Sequence, residues 1–347
     1  MEQVPYKYTN EFGIQKESDA DKVRKYFKSW LLDNFSNQYN ESYSIFFPKV
    51  NFTAQDTEKI TTVLEYLFGW ENINISNLTG GITNTLLACS CGAETVLIRL
   101  YGNQTNLLIN RQLEFQNQLQ LHSLHLASPI FARFENGLIY GFIKGKSLHP
   151  DQLSDNDIYP KIAQKLAQFH SLVKPQLKSH TLWSVLESWI MKLDNNTHLL
   201  NELDWLKKTL DSKSEMVMSH SDLLAGNIIL NNNDVQFIDY EYLMWAPRAF
   251  DIANHFFEWQ GFNCEIEKIP KLNSQIMRDW CQNYLGSSEN VDLLIDEIRY
   301  FYGLPGLYWS VWSQIQSEIS TIDFDYMEYS KIRYNEYISW KSMFINQ

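Results

Sequence analysis

His220-Ser221-Asp222-Leu223-Leu224-Ala225-Gly226-Asn227 is the stretch on which the reading of this chain turns, together with Ile238-Asp239-Tyr240-Glu241-Tyr242, whose Asp239 falls twelve residues past Asn227. The order is carboxylate, then amide, then a second carboxylate at the end of an apolar run. That order suits transfer of a phosphoryl group. The first carboxylate can orient an attacking hydroxyl and accept its proton. The amide and the second carboxylate can hold the Mg²⁺ that neutralises ATP phosphates. The flanks agree with this arrangement. Met216-Val217-Met218 reads as a short buried strand before the loop. Ile228-Ile229-Leu230 reads as a strand after it, Asn231-Asn232-Asn233-Asp234 as a hairpin turn, and Val235-Gln236-Phe237-Ile238 as the returning strand. A bare His-x-Asp match arises by chance. Its position between a strand and a hairpin separates it from a surface hairpin with incidental acids.

Composition sets the outer bounds. The chain has 347 residues, 44% hydrophobic and 20% charged, which is ordinary globular composition with enough length for two lobes with real cores. Its net charge of -12 argues against a nucleic-acid surface, which needs basic patches. The same field suits a cationic substrate. No apolar run reaches membrane-spanning length, and Met1 to Asp21 is polar, unlike a signal peptide. Cys89, Cys91, Cys264 and Cys281 lack the spacing of a zinc site and read as free thiols of a reducing, cytoplasmic compartment.

Three segments are expected. Residues 1–70 form an N-terminal helical extension, with apolar residues at helical spacing in Ala20 to Phe35 and again in Ala54 to Leu67. Residues 71–145 form a β-rich lobe with one helix, Asn106 to Leu124. Residues 146–347 form a larger, mostly helical lobe that carries the catalytic hairpin. In the β lobe, Leu78-Thr79-Gly80-Gly81-Ile82-Thr83-Asn84 joins two strands. Gly80 and Gly81 let the backbone approach phosphates, and Thr83 and Asn84 add donors. Arg99 ends the third strand, where its charge can meet nucleotide phosphates, and Glu114 on the following helix can hold it. Arg111 lies one turn before Glu114 and can brace it.

Two blocks are candidates for the acceptor site. Asp251 opens the apolar run Asp251-Ile252-Ala253-Asn254-His255-Phe256-Phe257-Glu258-Trp259, where it can cap a helix or brace the catalytic loop. Glu258 follows seven residues on. Trp309 and Trp312 are one helical turn apart, and Tyr329 follows on a later helix. Carboxylate beside aromatic faces is a setting for an organic cation. Without the catalytic loop, such aromatic pairs would read simply as core.

Taken together these stretches resemble the choline/ethanolamine kinases, and most closely the ethanolamine kinase branch. The likeness runs from about residue 70 to 345. It rests on Leu78 to Asn84, Ile98-Arg99-Leu100-Tyr101-Gly102-Asn103-Gln104-Thr105, His220 to Asn227, Ile238 to Tyr242, Asp251 to Phe256, and Trp309 with Trp312 followed by Thr321-Ile322-Asp323-Phe324-Asp325-Tyr326. The resemblance implies an α+β, bilobal protein kinase-like fold. It also implies ATP and Mg²⁺ as cofactors, and phosphorylation of ethanolamine as the first step of phosphatidylethanolamine head-group synthesis. Asp222 takes the place of the base, and Asn227 and Asp239 those of the metal ligands. Glu258, Trp309, Trp312 and Tyr329 fall where the family forms its amine pocket, with Tyr242 and Glu241 beside it. A homodimer is compatible with this reading. Ser221 stands where the family usually has Asn, and Gly141 where it has a larger polar residue.

The alternatives are a choline or dual-specificity kinase, and a non-catalytic kinase-like binding protein. Retention of Asp222, Asn227 and Asp239 together speaks against the second. A trimethylated nitrogen favours an aromatic cage and a primary ammonium favours carboxylates. This chain offers both, so the lean to ethanolamine rests on the Tyr101 to Thr105 and Asp222-Leu223-Leu224 stretches.

Overall fold

The structure is a computed structural model. It describes residues 18–33, 44–47, 49–78, 84–102 and 104–345. The chain divides into two units, one of residues 1–105 and 118–143, the other of residues 106–117 and 144–347.

The first unit is built on a six-stranded sheet in the order β1-β5-β6-β4-β3-β2. The strands are β1 (Ile45–Phe47), β2 (Asn74–Leu78), β3 (Asn84–Cys91), β4 (Glu94–Tyr101), β5 (Ile130–Phe134) and β6 (Gly137–Gly141). β1 pairs with β5 in parallel, and the other pairings are antiparallel. The β5–β6 hairpin turns at the expected Glu135-Asn136. Helices α1 (Ser18–Asp33) and α2 (Thr57–Phe68) place their apolar stripes in the same core as the strands. Phe27 packs on Phe68 and Phe131 with ring centroids 4.6 and 5.1 Å apart.

The expected division at residue 70 therefore has no counterpart in the packing. The described part of residues 1–70 adds an edge strand and buries its side chains in the sheet's core. A helix with an apolar stripe has to bury it against something, and here the sheet face receives it. The departure at Gly141 has a local reason. A Cβ there would come within 2.6 Å of the Trp30 ring, so the indole fills the space that a side chain would need.

In the second unit, β8 (Met216–Ser219) pairs antiparallel with β11 (Met244–Pro247), a strand that the sequence pattern did not suggest. β9 (Ile228–Asn231) and β10 (Asp234–Phe237) form the expected hairpin, with β7 (Lys146–Ser147) on the outer side of β9. Asn232 in the turn takes φ +54°, a conformation that Asn tolerates.

Helix α3 (Arg111–Ser123) begins in this unit. It is followed there by α4 (Tyr159–Leu172), α5 (Leu182–Ile190), α6 (Thr197–Leu210), α7 (Arg248–Phe257), α8 (Gln275–Leu285), α9 (Val291–Phe301), α10 (Leu304–Ile319) and α11 (Tyr326–Ile345). Nearly all of α7 is buried, because its apolar run leaves no polar face to solvent. α10 and α11 approach closely at Gly306, where a Cβ would stand 2.5 Å from the Arg333 carbonyl oxygen. No described helix is long and apolar enough to cross a membrane, and the four cysteines are free thiols.

Candidate active site

The catalytic loop runs from the end of β8 to the start of β9, and a buried carboxylate holds its backbone. Asp251, fully buried in the first turn of α7, accepts from the backbone N–H groups of His220 and Ser221, each at 2.8 Å. It also accepts from His170 Nε2 at 2.9 Å, and His170 in turn meets the Tyr284 hydroxyl at 2.8 Å. Of the two roles open to Asp251, bracing the loop is the one it fills. Burial alone would raise its carboxyl. The hydrogen bond and charge of His170, with the Ser221 N–H, reverse this and hold it below the usual range.

His220 is fully buried, and desolvation pushes it down to about 4, so the ring is neutral and its Nε2–H donates to the Ile238 carbonyl at 3.1 Å. His255 is likewise pushed to about 4 by burial and donates through Nδ1 to the Leu223 carbonyl at 2.9 Å. One ring ties the start of the loop to the Ile238 carbonyl and the other holds its middle at Leu223.

Ser221 and Asp239 both adopt positive φ, +66° and +65°. These two reversals turn the backbone on either side of the acidic cluster. The Ser221 Oγ bonds the Ser219 Oγ at 2.7 Å, and its carbonyl accepts from Asn254 Nδ2 at 2.9 Å.

Asn227 directs its Nδ2 to the Asp222 carbonyl at 2.8 Å and to the Asp222 Oδ2 at 2.9 Å. The planar amide therefore turns its oxygen the other way. The Asp222 carboxyl is pushed well above its ordinary range, which makes its ionised form a stronger base. The causes are burial first, then the fields of Asp239, Glu258 and Glu241, partly offset by the Asn227 bond. Four carboxylates share one buried neighbourhood, and such a cluster fits a hard cation with oxygen ligands. Asp239 and the Asn227 amide oxygen are the candidates that could hold such a cation. Among the described residues no trio of His, Cys, Asp or Glu forms a metal-binding group by itself.

Glu241 and Glu114 are joined by one guanidinium. Arg111 Nη1 reaches the Oε2 of each at 2.9 Å, as the turn-spaced position of Arg111 and Glu114 suggested. The link from the metal-side segment to the helix was not legible in sequence, since residues 111 and 241 lie far apart along the chain.

The aromatic candidates converge in the second unit. Trp309 and Trp312 meet edge to face with centroids 5.4 Å apart, and Tyr242 meets Trp309 at 5.7 Å. Trp312 Nε1 donates to the Tyr242 hydroxyl at 2.8 Å, and Trp309 Nε1 donates to Asn254 Oδ1 at 2.7 Å. Asn254 thus ties the catalytic loop to the tryptophan helix with one amide, a role the sequence reading missed. Glu258 is buried at the end of α7. Its Oε1 accepts from Arg333 Nη2 at 3.1 Å. Tyr329 packs against Phe324 and Phe262 and beneath the Arg333 guanidinium.

The nucleotide-side candidates are placed as follows. Gly80, Gly81 and Thr83 lie outside the described residues. Asn84 opens β3, and its Oδ1 accepts from the Gly102 N–H at 3.4 Å. Arg99 is buried on β4, with its guanidinium 5.6 Å from the Tyr140 ring centroid.

The model of the choline/ethanolamine kinase family matches residues 75–338. The chain belongs to this family. It is 36% identical over 286 residues to an ethanolamine kinase of Drosophila melanogaster, covering 73% of this chain and 55% of that protein. It therefore spans little more than half of the fly protein's length. To ethanolamine kinase 1 of Homo sapiens it is 30% identical over 359 residues, covering 90% of this chain and 79% of the human one. The solved structure of a Plasmodium vivax ethanolamine kinase superimposes with a TM-score of 0.72 at 24% identity, over 94% of this chain and 95% of that one. The fold is thus the protein kinase-like α+β fold that the family resemblance implied.

Proposed function

We propose that this member of the family phosphorylates ethanolamine from Mg²⁺-ATP, giving phosphoethanolamine and ADP for phosphatidylethanolamine head groups. One observation carries the reading. The Asp222 carboxylate is fixed by Asn227 beside Asp239, while the field of a third carboxylate, Glu258, reaches it from the aromatic side. A hydroxyl donor with a positive charge at its far end fits that distribution.

In the proposed step Asp222 accepts a hydrogen bond from the ethanolamine hydroxyl and takes its proton as the hydroxyl oxygen attacks the γ-phosphorus. The new O–P bond forms, the bond to the ADP oxygen breaks, and ADP leaves with those electrons. Bound Mg²⁺ would neutralise phosphate charge, held by Asp239 and the Asn227 amide oxygen. Asn227 also keeps Asp222 in one rotamer. Asp251, His220 and His255 keep the loop in place so that little ordering remains for the transition state. Arg99 at the end of its strand, with Gly80, Gly81, Thr83 and Asn84, is assigned to the phosphates, with Glu114 supporting.

The acceptor end comprises Glu258, Trp309, Trp312, Tyr329, Tyr242 and Glu241. A primary ammonium donates to a buried carboxylate and a quaternary one leaves it unsatisfied. That difference is about 1–3 kcal/mol, or about one to two decades in kcat/KM. The four free thiols support a cytoplasmic setting.

The test is ADP release with ethanolamine and choline in parallel, for the wild type and Asp222→Asn. Ethanolamine should be preferred. The variant should lose about two to four decades of kcat while still binding nucleotide. Turnover of neither alcohol, or a folded Asp222→Asn with near-normal turnover, would overturn the reading. Equal or better use of choline would overturn the substrate assignment alone.

A further inference from the structure

The proposed reaction leaves one fully buried cation unexplained. Arg333 on α11 has no exposed surface. The close approach at Gly306 brings its helix against α10. Its Nη2 donates to Glu258 Oε1 at 3.1 Å, and its Nη1 stands 3.5 Å from Glu336 Oε2 without a directed hydrogen bond. The guanidinium also lies over the rings of Tyr329 and Phe257, at 5.5 and 5.7 Å.

Two buried carboxylates thus share one guanidinium. Among the described residues, Arg333 Nε and Nη1 and both Glu336 oxygens lack a well-directed hydrogen bond, and the buried Gln260 amide lies beside Glu336. A satisfied structural ion pair would not need this surplus of negative charge. Leaving it in a buried cluster is costly, and a cationic substrate at Glu258 offsets it.

We infer that Arg333, balanced by Glu336, is the positioning residue that fixes the charge and direction of Glu258 and so sets the preference for a primary over a quaternary ammonium. This rests on the proposed ethanolamine reading. Arg333 anchors Oε1, so Oε2 is the oxygen directed to the ammonium.

Burial raises the Glu258 carboxyl and Arg333 pulls it back. The other groups facing Glu258 are Asp222 on the catalytic loop, Tyr329 and Glu336 on α11, and Cys264 on the following loop. Asp151 and Lys268, on the neighbouring short turns, are paired with each other. Among the described residues Arg333 is thus the cation that faces Glu258. Removing it should move the carboxyl's titration upward, and neutralising Glu336 should move it downward.

The experiment measures kcat/KM for ethanolamine and for choline in Mg²⁺-ATP from about pH 5 to pH 9, the range that brackets a shifted carboxyl. If choline turns over too slowly, its inhibition constant is followed instead. In Arg333→Met, ethanolamine kcat/KM near neutrality should fall by about 10- to 100-fold, and its acid limb should move up by about a unit. Choline, which shares Asp222 but makes no hydrogen bond to Glu258, should keep its limb. Arg333→Lys should recover part of the ethanolamine loss. Glu336→Gln should shift the ethanolamine limb down and leave choline unmoved. If Arg333→Met does not fold, the Glu336→Gln shift decides alone.

Equal losses for both substrates with unmoved limbs would make Arg333 a structural residue only and overturn the inference. Failure of the wild type to use either alcohol would instead refute the reading on which the inference rests.

Discussion

Replacing Asp251 by Asn changes a single atom and should be among the most damaging substitutions in the protein. The aspartate accepts three hydrogen bonds in a fully buried position, from two backbone N–H groups and from His170. An Asn side chain with its oxygen at the Oδ2 position keeps the His220 and His170 bonds. Its NH2 then faces the Ser221 N–H, donor against donor. One buried donor left unsatisfied costs about 1–3 kcal/mol. The two surviving bonds fall from the charge-assisted range to the neutral one, a loss of about 1 kcal/mol each. The total is about 3–5 kcal/mol, a large part of the roughly 5–15 kcal/mol that holds a domain.

The loss appears in chemistry too, because the released backbone carries Asp222. A displacement of about 1 Å costs on the order of 100-fold in rate. Urea unfolding followed by tryptophan fluorescence reports mainly on the second unit, since of eleven tryptophans only Trp30 and Trp70 lie in the first. A variant that loses less than about 1 kcal/mol and keeps kcat within about twofold would refute the claim that Asp251 holds the loop.

Asp239→Ala should abolish turnover, and raising Mg²⁺ should restore only a small fraction. Full rescue by excess metal in steady-state assays would remove Asp239 from the metal set. Asn254→Ala breaks the bonds to Ser221 and Trp309 together and should cost about 2–3 kcal/mol of stability, lowering kcat as well. Thermal melts and kinetics on the same sample check both parts. His220 and His255 are held near 4 in the fold against about 6.5 when unfolded. The unfolded chain therefore binds more protons between those values, and stability falls as pH drops from about 6.5 towards 4. The slope from each ring reaches about 1.4 kcal/mol per pH unit. Urea midpoints across that range for the wild type and His255→Gln isolate one ring, and an unchanged pH slope in the variant would mean that the ring is not buried neutral.

Much of the catalytic hairpin was legible because its signals are local. Strand, turn and strand follow one another within about twenty-five residues, and the order of Asp222, Asn227 and Asp239 along them can be read without reference to the rest of the fold. Arg111 was legible for the same reason, through its turn spacing to Glu114. The remainder depends on contacts between distant segments. Nothing in the sequence marks Arg333, whose surroundings read as a polar helix face with many tyrosines. Its burial follows from the approach of α10 at Gly306. Asn254 sits inside an apolar run, where an amide reads as an interruption until both of its partners are known. The two N-terminal helices were assigned by periodicity. Periodicity says that a face must be covered but not what covers it, so the separation at residue 70 did not hold.

Ser221 carries a consequence for how this family tolerates change. Its backbone lies in the left-handed region at φ +66°, with its N–H, carbonyl and hydroxyl all engaged. Asn and Gly enter that region at little cost, Ser at some, and β-branched residues at the most. Similarity tables rank Ser to Thr among the mildest exchanges. At this position the added methyl opposes the backbone itself, and the more distant-looking change to Asn is the compatible one. The allowed alphabet beside Asp222 is therefore set by a torsion angle and not by side-chain chemistry, so variants here should be sorted by φ tolerance before polarity.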